Sequence, residues 1–361
     1  MSEVRFEICA VDTLMFRDGR PFNQGDAGAS VASSVFPPYP PTIVGALRAM
    51  FWNAIGDWNA ALLGTGTNWQ VENKHNTLKP LKFGPPILTK AGMPVFPVPL
   101  HVVEGGKPSD NLSGDPVITF LTPDASYETD LGSDTWLPAP EQKDLEGIKT
   151  ISDHWVTLDG MKRILSGQSP EKKHFVKISE LWETEPRVGI GINRKSRNTT
   201  DGKLYMASHI RMADDVSLTV GVSGLSDDII RLSEKGSLRP VAGEHRMANI
   251  TQVSALDLPP REISANGDRV CVIAISPIVP LFDKETKEYN IPGISVDDIV
   301  SACLGKPISI GGWNSQRKQP IPLKNCIPTG SVWFLKEGSE IPNTIGASTD
   351  WGFGQILIGK W

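Results

Sequence analysis

Apolar positions along the 361-residue chain fall into short runs, and their spacing sorts the runs into strands and helices. The first run, "VRFEICAV" (4–11), alternates weakly, is rich in branched and aromatic residues, and predicts a strand. "FRDGRPF" (16–22) predicts an Asp-Gly turn, "GDAGASVASS" (25–34) is small and polar, and "PPYPP" (37–41) predicts a stiff extended segment. In 42–56, Ile43, Val44, Leu47, Met50, Phe51 and Ile55 follow helical spacing. Thr42 suits the N-cap of that helix and Gly56 its end. "LKFGPPILTKAGMPVFPVP" (81–99) predicts a hairpin around "TKAGM". Residues 100–180 are rich in Asp, Gly, Ser and Pro, and predict an insertion of long loops with one helix near 158–166.

A second hairpin follows, with strands at 187–193 and 204–212 around the polar tip "RKSRNTTDGK". Then come a strand (216–222), a helix capped by Ser226 (226–236) and a strand (244–253). "LDLPPREISANG" (256–267) has linker composition. Beyond it the pattern predicts a strand (269–276), a helix (295–305) and strands at 308–313, 330–336 and 351–361. The order is β-α-β-β…β-α-β, then β-α-β-β-β. It predicts an α+β fold of two ferredoxin-like (RRM-like) domains with long insertions and a protruding β-hairpin. The first domain spans 1–258, with the insertion at about 100–180 and the basic hairpin at 187–212. The second spans 268–361 and ends in a glycine-rich loop and strand, without a clear second helix.

Composition adds 34 glycines and 29 prolines, which fits many turns and irregular connections. The four cysteines are scattered, with none at CxxC spacing, so no zinc site is expected and a reducing cytoplasm is. The N-terminus mixes Glu3, Arg5, Glu7 and Asp12 through its apolar residues and does not read as a signal peptide. The longest apolar stretch, "VCVIAISPIVPLF", is broken by Ser276 and two prolines and is too short to span a bilayer. No P-loop and no strand–GxGxxG–helix occurs, so no nucleotide cofactor is expected.

Charge changes the picture most. Residues 187–211 carry six Lys/Arg against one acid, a net +5 in a chain of net −5, so the remainder carries −10. Side chains alternate across a strand. One hairpin face then carries Arg187, Gly189, Gly191 and Asn193 with Lys203, Tyr205, Ala207, His209 and Arg211. The other carries Val188, Ile190 and Ile192 with Leu204, Met206, Ile210 and Met212. Cations neutralise phosphates, tyrosine stacks on a base and glycine admits a close backbone, so the first face and the tip residues Arg194, Lys195 and Arg197 form a candidate RNA contact. The alternative is a solvated hairpin whose cations balance nearby acids.

Further candidates are weaker. Arg17 and Arg20 flank the Asp-Gly turn, and Arg48 falls off its helix's apolar stripe and is available to a partner. Arg246 lies in "GEHRMAN", beside Glu244 and His245. Gly352 and Gly354 precede the last strand, where a glycine-rich loop can offer N–H groups to a phosphate or simply make a tight turn. Lys203, Tyr205 and His209 share a face and could supply acid–base groups to a metal-free ribonuclease. Nothing visible lowers the first two from their ordinary titration, so a binding face is the preferred reading.

The segments "LMFRDGRPF", "PPYPPTIVGALRAMFW", "PRVGIGINRKSR…GKLYMASHIR", "GEHRM", "IGGWN", "PTGSVWF" and "WGFGQILIG" occur in this order. Together they resemble the third subunit of the type III-B CRISPR effector, the Cmr complex, a repeat-associated mysterious protein (RAMP). The resemblance implies two ferredoxin-like modules and a non-catalytic, antiviral role in binding and capping the crRNA 5′ handle. It implies as partners the large palm-domain (cyclase-like) subunit and backbone subunits, with target RNA nearby. Residues 187–211 and 346–354 match the family's RNA-holding hairpin and glycine-rich loop. The rival reading is a metal-independent CRISPR repeat-RNA processing endoribonuclease, as in some type I relatives; a third is a protein-only scaffold.

Overall fold

A computed structural model describes residues 3–17, 30–55, 81–107, 116–127, 136–193, 195–241, 243–260, 269–314 and 319–361. The chain forms two compact units, each assembled from three segments. One contains Met1–Gly92, Ser179–Ala255 and Ser309–Lys324; the other contains Met93–Ile178, Leu256–Ile308 and Asn325–Trp361. This differs from a linear division into 1–258 and 268–361, because residues of 93–178 share one core with Cys271, Ile273, Val332, Phe334 and Leu357, and Ser309–Lys324 joins the first unit.

The first unit holds an antiparallel sheet in the order Ile87–Lys90, Val216–Ser223, Val4–Ala10, Met247–Val253, Ser237–Pro240. Phe6 and Ile8 alternate into its core and are fully buried. Phe6 meets Phe51 of the helix Pro40–Ile55 edge-on, with ring centroids 5.2 Å apart. That helix starts two residues before the expected cap. Pro40 and Pro41 open it instead of extending the chain, since proline suits a first helical turn whose N–H groups lack partners. The short helix Asp227–Ser233 is capped by Ser226 as expected.

Arg48 requires a correction. The helix buries Ile43, Val44, Ala46, Leu47, Met50 and Phe51, and Arg48 with them at 6% exposure. Burial lowers its pKa to about 10. The buried face is wider than the apolar stripe, so Arg48 is enclosed and is not presented to an outside partner. Gly45 is exposed and open space surrounds its Cβ position. Gly45→Ala should therefore stabilise the unit by roughly 0.5–1 kcal/mol, read as a higher midpoint in urea.

The second unit contains an antiparallel sheet in the order Ile299–Cys303, Val332–Leu335, Val270–Ala274, Ile356–Lys360. Val270–Ala274 is buried at every position, which explains its unbroken apolar run. Cys271, Ile273, Phe334 and Leu357 pack on one side with Leu158, Met161, Ile164 and Leu165 of the helix Leu158–Leu165. Val272, Trp333 and Ile356 pack on the other with Ile278 and Ile345 from connecting segments. The helix expected at 295–305 is absent. A single 3-10 turn, Val296–Asp298, leads into the strand Ile299–Cys303, where β-branched residues pair with Val332–Leu335. The expected insertion of loops is also corrected: Leu137–Pro140, Val117–Asp124, Val102–Gly106 and Glu146–Thr150 form a four-stranded sheet.

The architecture is thus β-rich with few helices. Among the described residues no helix is long and apolar enough to cross a membrane.

Candidate nucleic-acid interface

The basic hairpin pairs Trp182–Ile192 with Thr199–Met212, longer than the alternation alone suggested. Its register places Gly189 opposite Tyr205, Arg187 opposite Ala207 and Glu185 opposite His209. Ser30–Ala32 adds a parallel third strand beside Tyr205–Ala207. The opposition explains Gly189: a Cβ there would lie 2.2 Å from the Tyr205 ring, so the glycine makes room for the tyrosine across the pair.

The two faces are not solvated as the alternation implies. Val188, Ile190 and Ile192 are exposed, while Ala207 and His209 are buried. His209 lies at 0% exposure, with its Nδ1 2.9 Å from the hydroxyl of buried Thr13. Its Nε2 lies 3.2 Å from Glu244 Oε2. Burial lowers its pKa, and the nearby Arg246 charge adds to that, against Glu244. His209 is thus a neutral internal bracket of the hairpin foot and not a group presented to RNA.

Around it the cations are paired. Arg187 donates from Nε to Glu185 at 2.8 Å and from Nη2 to Asp12 at 3.1 Å. Arg211 does the same, from Nε to Glu185 at 2.7 Å and from Nη2 to the other Asp12 oxygen at 3.1 Å. Arg246 reaches Asp12 at 3.7 Å and Glu244 at 3.4 Å. Hydrogen bonds from Arg187 and then Arg211 hold the Asp12 and Glu185 carboxyls below their ordinary range. Glu244 and the exposed His245 both adopt positive φ, 55° and 53°, rare for side-chain-bearing residues. That turn carries the Glu244 carboxylate that meets His209 and Arg246. It is fixed by Gly243 N–H donating to Met15 O at 2.7 Å.

The hairpin foot therefore matches the alternative of cations balanced by acids. The tip differs. Asn193 caps its turn, its side-chain oxygen accepting from the Lys195 and Ser196 N–H groups at 2.9 and 3.4 Å. Lys195 and Arg197 are exposed there, and among the described residues neither enters an ion pair. Arg194 and Arg20 lie outside the described residues, as does the Lys203 side chain. Arg17 is exposed, and its backbone bridges to Ser34.

Of the two readings for Gly352 and Gly354, the structure has the tight turn and not a loop open to a phosphate. Both are buried and have positive φ, 82° and 67°. Their N–H groups donate internally, to Thr349 O at 3.2 Å and Pro277 O at 2.9 Å, so they make a tight internal turn and offer nothing to a phosphate. Sequence reading placed Glu244 beside Arg246, with which it pairs, but missed Glu185 and Asp12; Asp12 meets its arginines only through tertiary structure. Among the described residues no group of three or more His, Cys, Asp or Glu could hold a metal ion.

Comparison with known proteins gives this geometry its family. Residues 6–361 match the model of the CRISPR-associated protein family Cas_Cmr3, and the chain belongs to that family. No curated protein matches it. Its fold resembles a chain of the type III-B Cmr-beta complex bound to cognate target RNA. The TM-score is 0.54 and the identity 18%, over 91% of this chain and 86% of that one. A second Cmr-beta structure, with cognate target RNA and AMPPnP, gives a TM-score of 0.51 and 17% identity over the same shares.

Proposed function

We propose that this chain is a non-catalytic RNA-binding subunit of a type III-B CRISPR effector. In this reading its basic hairpin holds the crRNA 5′ handle, and other surfaces dock the large palm-domain subunit and backbone subunits. The observation that carries the reading is family membership across residues 6–361, which includes both units. The setting is that of the resembling structures, which are Cmr-beta assemblies bound to target RNA. The exposed Lys195 and Arg197 at the hairpin tip supply the chemistry for phosphates.

Two ferredoxin-like modules belong to the same reading. In the sheet built on Val270–Ala274, and in the four adjacent strands Ile87–Lys90, Val216–Ser223, Val4–Ala10 and Met247–Val253 of the first unit's sheet, the neighbours run second, third, first, fourth when counted in chain order. In the first unit helices follow the first and third of these strands. Binding is preferred over cleavage because His209, the candidate base, is enclosed against Thr13, where a ribose hydroxyl has no approach.

Replacing Lys195 and Arg197 together by alanine should weaken binding of single-stranded repeat RNA. It should also flatten the slope of log affinity against log salt by about 1.4, as two lost phosphate contacts require. Equal affinity and slope in parent and variant would contradict the hairpin assignment. Metal-independent cutting of repeat RNA by the pure protein, abolished by Tyr205→Phe, would favour the processing ribonuclease.

A further inference from the structure

We propose that Arg187, Arg211 and Arg246 form a phosphate site that the chain's own Asp12 carboxylate occupies, and that a phosphodiester of bound RNA displaces it. This rests on the RNA-binding reading and adds a site to it.

Each Asp12 oxygen is held by the Nη2 of a different arginine at 3.1 Å, and Arg246 Nη1 stands 3.7 Å from one of them. Three guanidiniums converging on two oxygens of one anion is an arrangement that the two non-bridging oxygens of a phosphodiester can satisfy, since arginine pairs with carboxylate and phosphate in the same bidentate manner. Arg187 uses Nε for Glu185, at 2.8 Å, and Nη2 for Asp12, whereas Arg211 holds Glu185 with both Nε, at 2.7 Å, and Nη2, at 2.6 Å, and reaches Asp12 with the same Nη2. Arg246 has Glu244 at 3.4 Å as well as Asp12. If Asp12 withdraws, each guanidinium keeps a carboxylate that holds it in place, so the anion position outlasts its occupant.

Glu185 lies within a strand, whereas Asp12 lies in the segment between Val4–Ala10 and Thr13, outside any strand. The Asp12 side chain is 48% exposed and that of Arg211 49%, so solvent reaches the shared position. Three carboxylates and three arginines balance, and exchange of Asp12 for a phosphodiester monoanion at that position leaves the balance unchanged. A polyanion that cannot place a phosphate there meets a neutral surface, so Asp12 makes the site selective for a seated phosphate.

The test compares Asp12→Asn and Asp12→Ala with the parent, using a fluorescent single-stranded repeat oligoribonucleotide across a salt series, with thermal melts as the folding control. Both variants remove the competing charge. Each should bind several-fold tighter at low salt, with a salt slope steeper by about 0.7, as one additional neutralised phosphate requires. Arg211→Gln in the Asp12→Asn background should cancel the tighter binding. Folded variants that bind no tighter than the parent, with unchanged slope, overturn the proposal, as does tighter binding that survives Arg211→Gln. Inorganic phosphate, titrated with 31P NMR detection, separates the two levels. If no protein binds RNA but Asp12→Asn binds phosphate more tightly than the parent does, the site stands and the RNA reading falls. If Asp12→Asn binds neither ligand more tightly, the site falls.

Discussion

Gly354→Ala is expected to destabilise its unit by roughly 4 kcal/mol or more, the range of severe core lesions. A Cβ at Gly354 would lie 1.8 Å from the carbonyl oxygen of Ile345, a backbone atom that cannot step aside as a side chain would. The backbone there has φ +67°, which adds strain for any other residue. Relief would part the two segments, breaking the Ile345 N–H bond to Gly354 O and the Gly354 N–H bond to Pro277 O, both 2.9 Å. Ile345 and Phe353 are fully buried beside the turn, so the damage reaches the core. Gly338→Ala, at φ +81° with open space around its Cβ position, should cost only about 1 kcal/mol of backbone strain and serves as the control. Chemical denaturation of both variants checks this; near-parental stability for Gly354→Ala would show that the turn can open without loss.

His101 should make the protein acid-sensitive well above the carboxylate range. It is buried, stacked on Phe120 with centroids 5.2 Å apart, and its Nδ1 has no hydrogen-bond partner among the described residues. Burial lowers its pKa from 6.5 to about 3. The folded state thus favours the neutral ring while the unfolded chain takes a proton near 6.5. Its stabilisation is complete above pH 6.5 and is lost as pH falls towards 3, by about 1.4 kcal/mol per pH unit. At pH 4.5 the loss is about 2.7 kcal/mol from this residue alone. His209, also lowered, adds to the slope, so the comparison must be with His101→Leu. Urea melts at pH 7.5 and 4.5 should show a smaller drop for His101→Leu than for the parent; equal drops would refute the assignment.

Some of this was legible in the sequence. Alternation found a strand at 4–11 and a hairpin at 187–212, and helical spacing found a helix at 42–56, where the structure has Val4–Ala10, Trp182–Ile192 with Thr199–Met212, and Pro40–Ile55. The sheet within 100–150 escaped because its strands, "VVEGG", "LPAP" and "EGIKT" among them, interleave Gly, Pro and charge with few apolar residues and so lack a clear period. The strand 299–303 was hidden by Val296, Ile299, Val300 and Cys303, whose spacing also suits a helix; pairing with the buried strand Val332–Leu335 decided the outcome. The two discontinuous units have no local signature at all. For the site, the cation excess was visible but its neutralisation was not: Asp12 is 175 residues from Arg187 and 199 from Arg211. The turn glycines were visible as glycines, but their burial depends on Ile345 and Pro277, which only the fold brings to them.

The central claim is that the hairpin Trp182–Ile192/Thr199–Met212 touches RNA. The most direct measurement is photo-crosslinking of a crRNA carrying 4-thiouridine in its 5′ handle, bound in the assembled effector, with peptide mapping by mass spectrometry. The account predicts crosslinks from handle nucleotides to peptides within 182–212, diminished when Lys195 and Arg197 are both alanine. Handle crosslinks confined to other parts of this chain, or to other subunits, with 182–212 unlabelled, would contradict it.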